Sequence, residues 1–191
     1  MSAPGPAPQS APRRRPGPVT AVAVLLLGMG FGGLVAGVGG LLVAIRVVDQ
    51  VRAVGRELDA LPTEVNAATL IVWANAAGAV VVAFLVAAVA AGLALGTMRA
   101  APLARVGTWV MCAIGVLWGI AAAVVSVAQR VIVWRAPADA VWAELVRAIG
   151  DGYPAWWLHI NAGLCVAQVV GYVVIAVLLS LPSASAFYRR E

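Results

Sequence analysis

Long apolar runs alternate with short charged segments along this chain of 191 residues. Four of the runs contain no Asp, Glu, Lys or Arg: Pro18–Ile45, Val65–Met98, Val106–Gln129 and Gly152–Tyr188. Each is longer than the roughly 20 residues that an α-helix needs to cross about 30 Å of hydrocarbon. The pattern therefore predicts an all-α polytopic membrane protein, an antiparallel four-helix transmembrane bundle within residues 19–183. The spans are expected at about 19–46, 66–97, 106–128 and 157–181.

A helical pattern continues beyond the first span. Apolar residues recur there at alternating spacings of four and three, which is typical of a buried helical stripe. The stripe consists of Val47, Val51, Val54, Leu58 and Leu61. We expect helix one to project outward until Pro62 stops it, with Thr63 as the N-cap of the next helix.

A second segment outside the membrane, residues 137–150, has the pattern of a short amphipathic helix. Its apolar face would carry Val141, Trp142, Leu145 and Ile149, and its polar face Glu144 and Arg147. Pro137 and Asp139 suit the first turn of such a helix. The helix either lies on the outer leaflet or packs on the extension of helix one. Segments 47–63 and 137–150 together form a predicted outer cap.

The composition agrees with a membrane location, because 63% of the residues are hydrophobic and only 11% are charged. All basic residues are Arg, and the net charge is +5. The Arg residues are scattered and form no basic face interleaved with aromatics, so we expect no nucleic-acid partner. Membrane lipids are the expected surroundings.

The charges flanking the spans predict the orientation. One side carries Arg13, Arg14, Arg15, Arg99, Arg105, Arg189 and Arg190 against the single acid Glu191. The other side carries Asp49, Glu57, Asp59, Glu64, Asp139, Glu144 and Asp151 together with several Arg residues. The positive-inside rule then places both termini in the cytoplasm.

Both ends of the chain are expected to be tails. Residues 1–18 are rich in Pro and Arg and should be a disordered cytoplasmic tail, either a solvated leader or a docking peptide. The first apolar run is much longer than that of a cleaved signal peptide, so span one should be retained. Residues 184–191 form the cytoplasmic C-terminal tail.

Small residues predict where the helices pack. Helices in lipid associate through close backbone approach, which ridges of Gly and Ala permit. The candidate packing residues are Gly28, Gly32, Ala36 and Gly40 on span one, and Ala83 and Ala87 on span two. The ridge on span one serves either packing within the chain or a homodimer seam. Trp134, Trp142, Trp156 and Trp157 are the expected anchors at the membrane interface.

Few residues offer chemistry. Cys112 and Cys165 form no CxxC pair, and their expected depths are too different for a disulfide. His159 is the lone histidine and cannot by itself hold a metal. The sequence contains no serine hydrolase motif. The centres of the spans contain no Asp, Glu or His. We therefore expect no catalytic residue, no metal, no cofactor and no enzymatic activity.

A polar stripe is the most suggestive feature inside the membrane. Asn161, Cys165, Gln168 and Tyr172 fall within about 60° on one face of span four, and Asn75 on span two is placed to face them. The stripe either lines a small polar pocket or makes interhelical hydrogen bonds.

The C-terminal third resembles small four-span membrane proteins of actinobacteria that have a Pro-rich cytoplasmic leader. The residues that carry the resemblance are Asp151–Trp157, Leu178–Pro182 and Phe187–Arg190. The resemblance implies a plasma-membrane location and provides no catalytic residue. The expected function is a non-enzymatic structural or accessory subunit of the bacterial cell envelope, which packs with a membrane-protein partner or with copies of itself. The alternative is a small transporter, or a lipid- or solute-binding protein, that uses the polar stripe.

Overall fold

The computed structural model describes residues 17–135, 141–182 and 184, without the side chains of 122, 123 and 125–135. These residues form helices and no strand: α1 (Gly17–Glu57), α2 (Pro62–Met98), α3 (Pro102–Arg135), α4 (Val141–Asp151) and α5 (Ala155–Ser180). Four of the helices, all except α4, are long and apolar enough to cross a membrane. The all-α, four-span prediction is confirmed. The N-terminal tail to residue 16, Pro137, Asp139 and residues 185–191 lie outside the described residues.

Proline marks where the spanning helices begin. Pro18, Pro62 and Pro102 lie in the first turns of α1, α2 and α3, where the missing N–H group leaves no hydrogen bond unmade. The expectation that Thr63 caps α2 is wrong, because Leu61 is the N-cap and Pro62 the first helical residue. The side chain of Glu64 accepts a hydrogen bond from the Leu61 N–H at 3.2 Å.

The spanning helices form an antiparallel bundle in the order α1, α2, α3, α5, and the main contacts run between neighbours in that order and between α5 and α1. The contact between α1 and α2 is by far the most extensive, because a tight turn joins them and they run side by side over most of their length. They therefore form a long hairpin.

An inner core lies near the end of the bundle where α1 begins and α5 ends. All four spanning helices contribute to it: Val22, Ala23, Leu26, Ala90, Ala94, Cys112, Tyr172, Ile175 and Leu179. Arg105 at the start of α3 donates a hydrogen bond from Nη2 to the Leu179 carbonyl oxygen at 3.4 Å. This bond satisfies one of the carbonyls that the last turn of α5 leaves unpaired, so it ties α3 to α5.

An outer core joins α4 to the α1–α2 hairpin. It contains Val43, Ala44, Val47, Val48, Val51, Ala68, Val72, Ala76, Leu145 and Ala148. Of the two positions considered for the amphipathic helix, the structure has the one on the extension of α1. In the stripe predicted on that extension, Val47 and Val51 are buried as expected. Leu58 and Leu61 are 38% and 63% exposed, because α1 ends at Glu57.

Packing is uneven along the bundle. The buried residues of α5 are Tyr172, Ile175 and Leu179, all in the half of the helix near the inner core. From Ala155 to Gly171, α5 has no fully buried residue. The outer half of α5 therefore contacts its neighbours through half-buried side chains such as Trp157 and Val169, whereas the α1–α2 hairpin and α4 share a buried core at the same end.

Candidate functional surfaces

The polar stripe of α5 is divided between exposed and buried positions. Asn161 and Cys165 are exposed, Gln168 is half-buried and Tyr172 is buried. The four side chains share one face of the helix, and this face is covered at Tyr172 near the inner core but open toward the outer end. Within the described residues, no hydrogen bond joins any two of the four predicted pocket residues, Asn75, Asn161, Gln168 and Tyr172.

Two members of the stripe contact glycines of neighbouring helices. A Cβ added at Gly33 of α1 would lie 3.5 Å from Nε2 of Gln168. The ring of Tyr172 lies against Gly115 of α3, where an added Cβ would overlap it. The ring of Tyr172 therefore occupies space that only glycine leaves free, whereas Gln168 is at ordinary van der Waals distance from α1.

Asn75 lies near the outer end of α2 and is exposed. Its side chain forms a hydrogen bond with Tyr153, which lies between α4 and α5. Burial raises the pKa of the Tyr153 phenol above its ordinary value, and the hydrogen bond with Asn75 partly opposes this rise. The phenol is thus neutral over the physiological range. In the structure, Asn75 is thus partnered by Tyr153. The sequence had suggested instead that Asn75 faces the polar stripe on α5.

A groove of about 300 Å³ lies between α3 and α5 beside the inner core. Its lining is almost entirely apolar and includes Trp109, Cys112, Val116 and Tyr172. The hydroxyl of Ser180, at one end of the groove, donates a hydrogen bond to the Ala176 carbonyl oxygen at 2.8 Å. Such a groove can accept an acyl chain or a side chain.

The seam between α1 and α2 uses different glycines from those predicted. Gly28 and Gly32 have no atom within 4 Å of an added Cβ, whereas Gly30 lies against Ala87 and Gly37 against Ala83. Ala83 and Ala87 lie on this seam, whereas Gly28 and Gly32 of the ridge predicted on α1 do not. A spacing of four residues exceeds one helical turn of 3.6 residues, so successive members of the run lie progressively further around the helix. The run of small residues therefore did not determine which of them faces α2.

Trp157 packs into the fold instead of standing only at the membrane surface. A Cβ at Gly39 would lie 2.7 Å from the ring of Trp157, and Gly40 lies under the same ring. The prediction for Gly40 as a packing residue therefore holds in part, with α5 as its neighbour. Trp156 packs edge-to-face on Trp157, with ring centroids 5.9 Å apart. Trp142 and Trp156 are 41% and 55% exposed, and the side chain of Trp134 lies outside the described residues.

A charged hollow at the outer tip of the hairpin was not foreseen from the sequence. Its volume is about 730 Å³, and its walls include Asp49, Arg52, Arg56, Asp59 and Asn66. None of the four charged side chains has an ion-pair partner within the part of the chain that the structure describes. The only sign in the sequence was the spacing of these charges on one side of the α1 extension.

No arrangement of catalytic type is found among these residues. Across the described ranges, no three His, Cys, Asp or Glu side chains come together as a metal site would require. Cys112 is buried and Cys165 exposed, and both are free thiols. Nδ1 of His159 is 2.6 Å from the Ala155 carbonyl oxygen, one turn earlier in the same helix. Comparison with protein families, with curated proteins and with solved structures finds no match for the chain.

Proposed function

We propose that this multi-pass membrane protein is a non-enzymatic accessory subunit of the bacterial plasma membrane, and that it acts by packing against other membrane proteins through its helices and outer cap. The observation that carries the proposal is the outer cap itself. Leu145 is fully buried between α4 and the hairpin, together with Val47 and Val72. A well-packed structure outside the membrane suits a contact surface.

The surface of this cap supports the same proposal. Leu61 at the tip is 63% exposed and Trp142 on α4 is 41% exposed. Leu61 lies beyond the charged residues that end the first apolar run, so hydrocarbon does not cover it. Leu61 lies between Ala60 and Pro62, which line the charged hollow. An exposed apolar side chain next to charged groups is typical of protein interfaces, which combine an apolar centre with a polar rim.

The flanking charges support a cytoplasmic position for both termini. The turn between α2 and α3 contains Arg99 and is followed by Arg105, with no acid between them. The outer cap contains most of the acids. By the positive-inside rule, the turn faces the cytoplasm and the cap faces outward.

Purification from native membranes tests the proposal. The tagged protein, expressed at its natural level and extracted into nanodiscs, is expected to retain a second protein or a second copy in fixed stoichiometry. The double variant Leu61→Ala/Trp142→Ala should lose most of it. The control is Leu103→Ala at the opposite end of the bundle, where the side chain is 84% exposed. A monomer without any bound protein would contradict the proposal.

A second candidate, a small transporter or a lipid- or solute-binding protein, is favoured by one observation. Asn161 and Cys165 are exposed on the helix face that Tyr172 buries deeper in the bundle. An amide exposed to hydrocarbon is costly, and a polar solute or lipid group would relieve that cost. Under this alternative, Asn161→Ala and Gln168→Leu abolish transport or ligand retention and leave expression unchanged. Reduced expression or thermal stability would instead indicate a packing role.

A further inference from the structure

The groove between α3 and α5 opens toward the bilayer. Its floor contains Cys112 and Tyr172, which are only 3% and 8% exposed and belong to the inner core shared with α1 and α2. Its rims are open, because Trp109 on α3 and Val177 on α5 are 41% and 58% exposed. All of its described lining residues belong to these two helices. The open side therefore faces away from the other helices and toward lipid.

The groove exists because small side chains leave space between the two helices. Ala113 lies on the wall formed by α3, and Ala176 on the wall formed by α5. Along α3 the lining extends from Trp109 to Val116, and seven residues of helix correspond to about 10 Å along the axis. The hydrocarbon of one leaflet is about 15 Å deep. The groove thus runs parallel to the helices over most of the depth of one leaflet.

A cation lies at the end of the groove nearest the membrane surface. Arg105 is one turn before Trp109 on the same face of α3, and its hydrogen bond to the Leu179 carbonyl oxygen holds it at the end of α5. Ser180, the next residue of α5, lines the groove at this end. Glu191 is the only acid that the sequence places at this end of the bundle. The mouth of the groove is therefore positively charged.

A positive mouth and an apolar interior together match an anionic phospholipid. A guanidinium group has five N–H donors in a planar fork, so it can bind a carbonyl oxygen and phosphate oxygens at the same time. Basic pockets between membrane helices are suited to anionic headgroups of the cytoplasmic leaflet. The apolar walls alone would accept any acyl chain, whereas the charge of Arg105 favours one class of headgroup.

We propose that the groove between α3 and α5 binds one acyl chain of an anionic phospholipid whose phosphate contacts Arg105. The chain extends past Trp109 and between Ala113 and Ala176, and it ends over Tyr172 on the floor. This inference goes beyond the proposed function, because it concerns a lipid and not a protein partner. The site is also separate from the open part of the polar stripe at Asn161.

Native mass spectrometry of the purified protein tests the headgroup. The probes are phosphatidylglycerol and phosphatidylcholine with identical acyl chains. One phosphatidylglycerol should bind per chain, with a Kd about fivefold lower than that of phosphatidylcholine, because one Arg near the membrane surface provides a modest attraction. Arg105→Gln should bring the two Kd values to within about twofold of each other, whereas Arg105→Lys, which keeps the charge, should retain most of the preference. The control is Arg99→Gln, an exposed Arg at the same end of the bundle that does not line the groove.

Filling the groove tests the position of the acyl chain. Ala176→Leu should raise the Kd of both lipids about tenfold, because the added side chain occupies the space of the acyl chain. Ala113→Leu, at an exposed position on the opposite wall, should have the same effect. The matched control is Ala167→Leu, an exposed position of α5 that does not line the groove. It should leave both Kd values unchanged.

Equal Kd values for the two lipids, an equal loss of preference in Arg99→Gln, or unchanged binding in both groove-filling variants would each overturn the inference. If Ala176→Leu releases a bound protein and no lipid, the groove is a protein contact, so the lipid inference is wrong and the accessory-subunit function stands. If phosphatidylglycerol binds as expected but no protein is retained from native membranes, the accessory-subunit function fails and the lipid site stands.

Discussion

Two glycines only two residues apart in α1 have different surroundings. Gly30 faces the backbone of Ala87 across the seam with α2, and an added Cβ would lie 3.2 Å from the Ala87 Cα. Gly32 has nothing within 4 Å of an added Cβ. Because close backbone approach is what holds helices together in lipid, these two positions should respond differently to the same substitution.

We expect Gly30→Val to lower the free energy of unfolding by about 1–3 kcal/mol, because the branched side chain must push α1 and α2 apart. Gly32→Val should change it by less than about 0.5 kcal/mol. Unfolding in detergent, followed by the fluorescence of the seven Trp residues, measures both. Equal losses would contradict the seam as described.

The polar stripe on α5 shows what the residue pattern can and cannot predict. Helical periodicity places Asn161, Cys165, Gln168 and Tyr172 on one face, because direction around a helix depends only on position along it. Exposure depends on how close the neighbouring helices come. The sequence contains no information on that distance for the outer half of α5. It therefore could not predict that Tyr172 is buried while Asn161, on the same face, is exposed.

At the scale of single elements, α4 depends on its neighbours. It has 11 residues, and an isolated helix shorter than about 12–15 residues is marginal in water. Its stability must therefore come from docking, and Leu145, which is 0% exposed, is the centre of the docked face. Glu144 and Arg147 form an ion pair on the surface of the same helix, where such pairs contribute little.

Leu145→Ala should therefore cost about 2–5 kcal/mol in the docking of α4, through the lost burial and the cavity that remains. Hydrogen exchange over residues 141–151 measures this loss as faster exchange. Trp142→Ala, one turn earlier in the helix and 41% exposed, should leave the exchange rates of α4 nearly unchanged. Fast exchange in both variants, or in neither, would contradict the proposed docking through Leu145.

The sequence predicted the existence of α4 and the face it buries more accurately than its position. Alternation of apolar and charged residues fixed the face that contains Leu145 and Ile149. The choice between the membrane surface and the α1 extension depended on contacts far apart in the chain, such as that of Gly152, where an added Cβ would lie 3.1 Å from the Val47 Cα. Local patterns contain no information on such contacts.

For the whole molecule, we expect both termini on the cytoplasmic side. In a Cys165→Ala background, a membrane-impermeant thiol reagent should label Leu61→Cys and Asp151→Cys on intact cells, because both positions are exposed at the outer end. Leu103→Cys, 84% exposed at the other end, should react only after the cells are permeabilised. The reverse pattern would show that the protein has the opposite orientation.

Fold and function differ in how far the sequence determines them here. A chain in lipid must pair every backbone group internally, so four uncharged runs leave the helical bundle as almost the only choice. The same apolar residues can face acyl chains or another protein without any change of type. The residue types at exposed positions such as Phe31 and Val35 therefore do not distinguish contact with lipid from contact with a protein.

The uninterrupted length of α1 has a consequence for any molecule that meets the outer tip. The helix has no Pro after Pro18, and the 12 residues that follow Ile45 up to Glu57 raise the tip about 18 Å along the helix axis. A headgroup layer is only about 5–8 Å deep. The tip thus lies at a fixed height above the surface of the bilayer. Whatever reaches it from a neighbouring protein must itself have a domain that rises above the membrane.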